Sequence, residues 1–508
     1  MKRVATASFC LAVALLTYFQ FPGHTWLQQD TQIYAPILEH LRDPGVLRNE
    51  ILVQQPHVAY TLYDEVTIGL RALTGLGFRE VLAIQQIVTR TLGIWGLLLL
   101  AESMGLSFTG AAAAAAICSL GAVIAGPSVL TVEYEAIPRA FAVGLLLCAM
   151  GLAAHARYRW AGIAAAAALL YHPPTALPFW FVWAFVARFQ AVGPLAFSAI
   201  VLFVASRTQS EAQNFLVRIP PWLEAVQRMR ASYVYISTWP WQTIAHHVVV
   251  FALLLAAFWR VRQKVVIEAR AFLIGLPAIG LLSMPLSWLL LEHWNWGLIP
   301  QVQPMRMLLF GTLATQLMAV VAGVRAGRSV EGAAWFMVAF LPVMPDALAW
   351  KWALLTAGLG AAAALADRWA VAVAAAAFFV LPWAGVVNYP YVRTVELDQL
   401  SQWARANTPS DAVFLFADAR RGLDPGVFRT EALRAIYVDW KGGGQVNYLS
   451  DFAERWWFRW QQVFDRPIDL VRYEALGVRY VVLRREHRVP GRVVYENEKY
   501  LVYSLARG

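Results

Sequence analysis

Asp30, within Trp26-Leu27-Gln28-Gln29-Asp30-Thr31-Gln32-Ile33-Tyr34, follows the first apolar run, Val4 to Phe21, by nine residues. A carboxylate at that place sits at a membrane edge, where a lipid-borne substrate and a water-borne one can both reach it. The same residue directly precedes a helical run, Thr31 to Leu41, where it would serve as an N-cap by accepting from the first amides. A second acidic pair, Glu133-Tyr134-Glu135, falls in a loop just ahead of Pro138-Arg139. Alternate residues of extended chain point the same way, so with Asp30 the two glutamates could form an oxygen cage for Mg²⁺ or Mn²⁺. The plainer alternative is a solvated loop edge in which Arg139 pairs one of them.

Four further groups could carry chemistry. Arg306, in Gln301-Val302-Gln303-Pro304-Met305-Arg306, begins an apolar run, where a guanidinium could clamp a phosphate in a bidentate way or snorkel to lipid headgroups. Arg90 lies well inside the second apolar run, and an ionisable group at that depth lines a cavity or has a partner. His172, followed by Pro173-Pro174, breaks a helix in an apolar region and could meet a polar headgroup; a contact with a neighbouring helix would satisfy it as well. Trp440 and Lys441, in Tyr437-Val438-Asp439-Trp440-Lys441 before a Gly442-Gly443-Gly444 turn, could contact a sugar, or Trp440 could pack on Trp456, Trp457 and Trp460. His246-His247 and Glu292-His293 read as interfacial residues at span ends. No phosphate-binding glycine loop, dinucleotide fingerprint, zinc spacing or Ser-His-Asp cue occurs.

These groups are positioned by membrane helices. The 508 residues are 59% hydrophobic and only 15% charged, with mean hydropathy +0.51, which is more apolar surface than a globular core can bury. Spanning runs are predicted at 4–21, 81–101, 109–126, 139–155, 191–206, 246–260, 272–291, 305–324, 331–347, 350–366 and 369–387, about eleven crossings. The run 161–187, broken at His172-Pro173-Pro174 and Pro178, would supply one kinked span or two short helices, for about 11 to 13 in all. The first run carries Lys2 and Arg3 before it and no small-residue cleavage site after it, so an anchor is expected in place of a removed signal. Cys10, Cys118 and Cys148 all lie in apolar runs and read as small hydrophobes.

The net charge of +10 gathers at span ends, not in one patch, which suits topology and anionic lipid and argues against nucleic acid as a partner. Lys2, Arg3, Arg157, Arg159, Arg188, Arg260, Arg262, Lys264, Arg325, Arg328 and Arg368 fall on one side, predicting a cytoplasmic N-terminus. The other side then receives the loop 22–80, with a second amphipathic stretch from Val58 to Leu73 that, like Thr31 to Leu41, could lie flat on the bilayer. It also receives the loop from Pro127 to Pro138, the loop 207–245, and everything after Val387. From Asn388 the hydropathy falls and a separate small α/β unit, 388–508, is predicted, following a transmembrane unit over 1–387. Its elements are a helix from Val395 to Ala406, strands at Ala412–Ala417, Ala435–Val438 and Arg479–Leu483, and a hairpin of Arg492–Tyr495 with Tyr500–Leu505.

A first-loop acid with helices behind it, a second acidic motif between spans three and four, many spans and a terminal outer domain together resemble the GT-C superfamily of membrane glycosyltransferases. The specific part of the resemblance is Asp30, Glu133 and Glu135, with His172-Pro173 and Gln303-Pro304-Met305-Arg306. The Phe428 to Lys441 and Tyr495-Glu496-Asn497 stretches look like those of bacterial multi-pass membrane proteins often grouped with that superfamily. The resemblance implies transfer of a sugar from a polyprenyl-phosphate donor to a glycan, lipid or protein acceptor outside a bacterial inner membrane, with inversion. It passes the role of general base or metal holder to Asp30 and the second acidic site to Glu133 and Glu135; beside these, contact with the donor phosphate is expected of Arg306, Arg139, His172 and Arg90. Trp440 and Lys441 would then face the acceptor. This chain has a single acid after Gln28-Gln29 where the family carries a pair, and Glu in place of the commoner Asp at the second site, so Mg²⁺ or Mn²⁺ stays an open expectation. A transporter or flippase of polar lipids, or a non-catalytic envelope-assembly protein, would use the same scaffold; a transporter would put its polar residues near the midplane, as Arg90 and the His172 break suggest.

Overall fold

The structure is a computed structural model that describes residues 2–54, 61–186, 192–208, 217–346, 349–387, 389 and 391–505. Arg188, Asn388 and the first residues of the Val58 to Leu73 stretch lie outside these. The first half holds α1 (Lys2–Phe19), α2 (Thr31–Arg42), α3 (Tyr63–Thr74), α4 (Phe78–Ser103), α5 (Phe108–Cys118), α6 (Pro138–Ala154), α7 (Tyr158–Tyr171), α8 (Pro173–Val186) and α9 (Val192–Ser206). After α10 (Pro221–Arg230) come α11 (Trp241–Val261), α12 (Ile267–Ser287), the short α13 (Leu298–Val302), α14 (Leu308–Ala326), α15 (Val330–Phe340), α16 (Trp350–Ala366) and α17 (Ala370–Trp383). Five segments are long and apolar enough to cross a membrane, Phe78–Ser103, Trp241–Lys264, Ile267–His293, Leu298–Ala326 and Trp350–Trp383, and shorter apolar helices accompany them. The broken run resolves into two helices, α7 and α8, that meet at His172.

One predicted span is helical over only part of its length. In 109–126 the helix stops at Cys118, and Val123–Ile124 (β1) pairs antiparallel with Val129–Leu130 (β2). The eleven residues of α5 rise about 17 Å, and the chain beyond Cys118 completes the return to the first half of α4, where Glu133 meets Gln86 and Arg90. Gly121, at φ +77°, permits the turn out of the helix.

The helix α14 is the centre of the bundle, with Leu308 through Gly323 all buried, so Arg306 stands at the end of its most enclosed element. Helices α4 and α6 touch backbone to backbone: a Cβ at Gly96 would fall 2.1 Å from the Leu147 carbonyl oxygen and one at Gly144 2.3 Å from that of Thr89. Small residues permit this approach. It brings the Glu133–Arg139 segment, which leads into α6, against the side chains of α4.

The terminal region holds α18 (Val395–Asn407), β3 (Val413–Phe416), α19 (Asp424–Ala432), β4 (Ala435–Ile436), α20 (Ser450–Phe464), α21 (Leu470–Ala475), β5 (Tyr480–Arg484), β6 (Val493–Glu496) and β7 (Tyr500–Ser504). The strand order is β4-β3-β5-β7-β6, with β3 parallel to β4 and β5, and β7 antiparallel to β5 and β6. Thr394 caps α18 through its side chain, accepting from Leu397 N.

This region is not separate from the first loop. Leu27 and Ala35 lie in the same buried cluster as Leu397, Phe414, Val427 and Phe428. The helix α2 is buried at Thr31, Gln32, Ile33 and Ala35 through Leu38, so it is sandwiched inside the protein instead of lying on the bilayer. A buried charge cluster joins the two parts as well. Arg429 Nη1 is 2.6 Å from Asp439 Oδ1 and 3.7 Å from Glu50 Oε2, and its Nη2 donates to the Gln32 carbonyl at 2.9 Å. Glu50 in turn accepts from Ile436 N and Leu52 N. Enclosed charges are held by such partners, here through the terminal nitrogens of Arg429.

Candidate active site

Glu135 builds the loop that carries Asp30. Its Oε1 accepts from Gln28 N at 2.7 Å, Gln29 N at 2.8 Å and Thr31 Oγ1 at 2.9 Å, and its Oε2 accepts from Thr31 N at 2.9 Å. These donors lie just ahead of α2, where converging amides favour an anion. Burial pushes the Glu135 pKa up, and the amide hydrogen bonds pull it part of the way back. Asp30, at the start of α2, makes no side-chain cap; its Oδ1 meets Lys441 Nζ at 2.6 Å, and the same ammonium donates to Gln29 Oε1 at 3.1 Å. Burial alone would raise the Asp30 pKa, but the Lys441 charge, with Arg139 and Arg306 farther off, holds it below the usual carboxylate range.

Glu133 Oε1 is engaged by Arg139, at 2.8 Å from Nε and 2.7 Å from Nη2. The Glu133 carbonyl accepts from Gln86 Nε2 at 3.0 Å and Arg90 Nη2 at 2.6 Å. Arg90 also donates to the carbonyls of Thr17, at 2.7 Å, and Gly23, at 3.1 Å. Its donors go to three backbone carbonyls at the ends of two loops, so the expectation that Arg90 contacts the donor phosphate is corrected: it is a strut that ties the first loop to the second acidic loop.

Of the three acids expected around Mg²⁺ or Mn²⁺, Glu135 spends both oxygens on the Asp30 loop, while Glu133 and Asp30 each have one oxygen in an ion pair, with Arg139 and Lys441 respectively. Among the described residues no three His, Cys, Asp or Glu side chains come together as a ligand group.

Two cavities of about 570 and 550 Å³ adjoin. The first is polar and lined by Asp30, Glu133, Glu135, Arg139, Trp440 and Lys441 among others. The second is a largely apolar groove between Leu177 of α8, Leu202 and Phe203 of α9, and Leu298 and Val302 of α13. Tyr34, Pro138, His172, Arg306, Gln445 and Tyr448 line both and so form the seam. His172 Nδ1 accepts from Thr175 N at 3.3 Å, which leaves Nε2 as the donor of the neutral ring. Arg306 follows Gln303, whose left-handed backbone (φ +47°) turns the chain into α14. The Arg306 guanidinium has no ion-pair partner among the described residues, and its Nε is buried without a hydrogen bond. An unpaired guanidinium beside a greasy groove is a receptor for an anion carried on an apolar chain.

Of the residues singled out in the sequence, Asp30, Glu133, Glu135, Arg139, His172, Arg306, Trp440 and Lys441 therefore line one cavity system, and Arg90 does not. Trp440 also packs on Trp460, ring centroids 5.4 Å apart. Arg230, Tyr233, Arg421 and Tyr448 line the polar cavity without having been anticipated. The Arg-Ala-Ser-Tyr run at 230–233 gave one weak cue, a basic and aromatic pair ahead of a span.

Residues 396–463 match a family model described as a domain of unknown function, DUF6798. No curated protein sequence matches the chain. Among solved structures the chain is similar to ArnT from Cupriavidus metallidurans bound to undecaprenyl phosphate, at 15% identity and TM-score 0.45 over 99% of this chain and 98% of that one. The apo ArnT structure matches at 14% identity and TM-score 0.44 over 99% and 97%. The arabinofuranosyltransferase AftD from Mycobacteria matches at 14% identity and TM-score 0.45, over 100% of this chain and 40% of that one.

Proposed function

We propose that this chain is a multi-pass membrane glycosyltransferase that moves a sugar from a polyprenyl-phosphate donor to an acceptor hydroxyl on the extracytoplasmic side, with inversion. The observation that carries the proposal is the seam: an unpaired arginine, Arg306, stands where an apolar groove opens into a polar cavity that holds Asp30. An amphiphilic donor fits that shape, with its chain in the groove, its phosphate at Arg306 and His172, and its sugar in the polar cavity. The basic residues at the ends of the other loops support the outward orientation of Asp30.

The step is a single displacement. The acceptor oxygen bonds to the anomeric carbon as the carbon–oxygen bond to phosphate breaks, and the polyprenyl phosphate leaves with the bonding pair. Asp30 takes the acceptor's proton, which requires it within hydrogen-bond reach of that hydroxyl. Arg306, with Nε2–H of His172, meets the charge that grows on the departing phosphate, and the enclosed site strengthens that interaction. Arg139 orients Glu133 and adds positive field beside the departing phosphate. The Lys441 contact keeps Asp30 ionised in the resting site but weakens it as a base, so it loosens as the acceptor enters. Attack on the face opposite the phosphate, without a covalent intermediate, gives inversion.

The transporter reading loses support, because Arg90 spends its terminal nitrogens on backbone carbonyls and lines only a small cavity of about 50 Å³. The test is incubation of the purified full-length protein in lipid nanodiscs with a panel of radiolabelled polyprenyl-phosphate sugars and envelope glycans. Product with the native chain and none with Asp30→Asn supports the proposal; equal product from both removes Asp30 as the base.

A further inference from the structure

The polar cavity holds more positive charge than a donor phosphate needs. Its lining carboxylates are Asp30, Glu133 and Glu135, and each is occupied, by Lys441, by Arg139 and by the Asp30 loop respectively. Three lining guanidiniums remain, on Arg230, Arg306 and Arg421, and none has a carboxylate in ion-pair contact among the described residues. A polyprenyl-phosphate sugar is a phosphodiester with one negative charge, and Arg306 at the seam suits it. Arg230 and Arg421 are left over.

These two come from distant elements and meet at one side chain. Arg230 is the last residue of α10, Arg421 lies between β3 and α19, and Trp440 follows β4. The Arg230 and Arg421 Cζ atoms lie 4.6 and 4.8 Å from the centroid of the Trp440 ring. Arg230 is fixed there, donating from Nε to the Trp440 carbonyl at 2.7 Å and from Nη2 to that of Lys441 at 3.3 Å. Its Nη1 is left for a ligand. Arg421 is exposed, and among the described residues its contact is with the ring. Two like charges on one indole repel one another, and cation–π attraction offsets this only in part. Burial foremost, with the Arg421 charge acting in the same direction, already holds the Arg230 pKa below the ordinary guanidinium value. A bound oxyanion between the two would remove the repulsion.

We infer that Arg230, Arg421 and Trp440 form a second anion subsite at the terminal-domain end of the polar cavity, and that the acceptor is a saccharide carrying a phosphate or carboxylate near its reacting hydroxyl. The inference rests on the transferase reading of the cavity and adds the acceptor's chemistry to it. The indole offers the sugar ring a flat apolar face, the two guanidiniums hold the oxyanion, and the Lys441–Asp30 pair lies beside them in the same cavity.

Equilibrium binding tests this without any transfer. The full-length protein in zwitterionic nanodiscs is titrated with glucose 6-phosphate and glucuronate as soluble probes, and with a phosphorylated glycolipid incorporated in the discs, each against its uncharged counterpart. Undecaprenyl phosphate is titrated alongside. The expected result is binding of at least one anionic probe over its neutral counterpart, weakened about tenfold or more by Arg421→Gln, while undecaprenyl phosphate binding is unchanged. Arg306→Gln should show the reverse pattern. A response confined to the soluble probes assigns a water-borne acceptor, and one confined to the glycolipid a lipid-borne one. Absence of binding by every anionic probe, or Arg421→Gln weakening undecaprenyl phosphate as much as the probes, overturns the second subsite. Loss of undecaprenyl phosphate binding in the native protein would instead strike the transferase reading, so the two failures are distinguishable.

Discussion

Replacing Glu135 by Gln isolates what holds Asp30 in place. The glutamine oxygen can still accept from Gln28 N, Gln29 N and Thr31 Oγ1, but the amide nitrogen then faces Thr31 N, where the carboxylate accepts at 2.9 Å. Burial already holds the Glu135 pKa above its ordinary value, so relief of the desolvation penalty works against the loss of charge assistance. The geometry adds one buried amide with a donor opposite it, a cost of about 1–3 kcal/mol. Near the middle of that range, about 2 kcal/mol, the opening equilibrium of the loop shifts roughly thirtyfold. Hydrogen exchange on the protein in nanodiscs, followed by mass spectrometry, should show peptides covering 27–32 exchanging about that much faster, with α14 unchanged as the internal control. Unchanged exchange at 27–32 would refute the claim that Glu135 builds this loop. Equal acceleration in α14 would refute its local character.

Other perturbations follow from the same geometry. Lys441→Met removes the charge that holds the Asp30 pKa down and leaves burial to raise it; because Asp30 must be ionised to act as a base, the acidic limb of the pH–rate profile should move to higher pH, and an unmoved limb would contradict the pairing. Arg306→Gln should weaken undecaprenyl phosphate binding about tenfold to a hundredfold, measured by titration in nanodiscs, since it removes charge-assisted hydrogen bonds to the phosphate. Asp439→Asn leaves the enclosed Arg429 with Glu50, at 3.7 Å, as its remaining carboxylate beside the Gln32 carbonyl and should destabilise the junction of first loop and terminal domain by about 3–5 kcal/mol. Limited proteolysis and denaturant unfolding would report this, and native-like resistance would argue against the buried cluster as the weld.

The helices and strands were legible because their signals are local. Apolar runs of membrane length gave the long helices of the bundle, and short apolar runs bounded by turn residues gave the strands from Val413 to Ser504. The acids and Arg306 were legible because a charged group next to a long apolar run has few structural reasons to be there. Roles set by distant partners were not. Nothing near Arg90 in the chain reveals that the carbonyls of Thr17, Gly23 and Glu133 will use up its donors. Glu135 reads as a metal ligand until the amides of residues 28, 29 and 31 are seen to occupy it.

The helix α2 misleads for a similar reason. Its polar Thr31 and Gln32 look like a solvated face, yet both are buried, Thr31 with its hydroxyl on Glu135 and Gln32 with its amide on the Leu27 carbonyl. A polar group held by a partner brought in by the fold, as Thr31 is by Glu135, carries no mark of burial in the sequence. Arg230 and Arg421 stand 191 positions apart and gain meaning only when Trp440 brings them together.

The most direct test of the account is single-turnover sugar transfer from a polyprenyl-phosphate donor by the native chain and by Asp30→Asn, with donor binding measured on the same samples. Loss of a general base costs about a hundredfold to ten-thousandfold in rate. The account predicts a fall of that size with donor affinity intact, because Arg306 and His172, not Asp30, hold the phosphate. Transfer at the native rate by the Asn variant would contradict it.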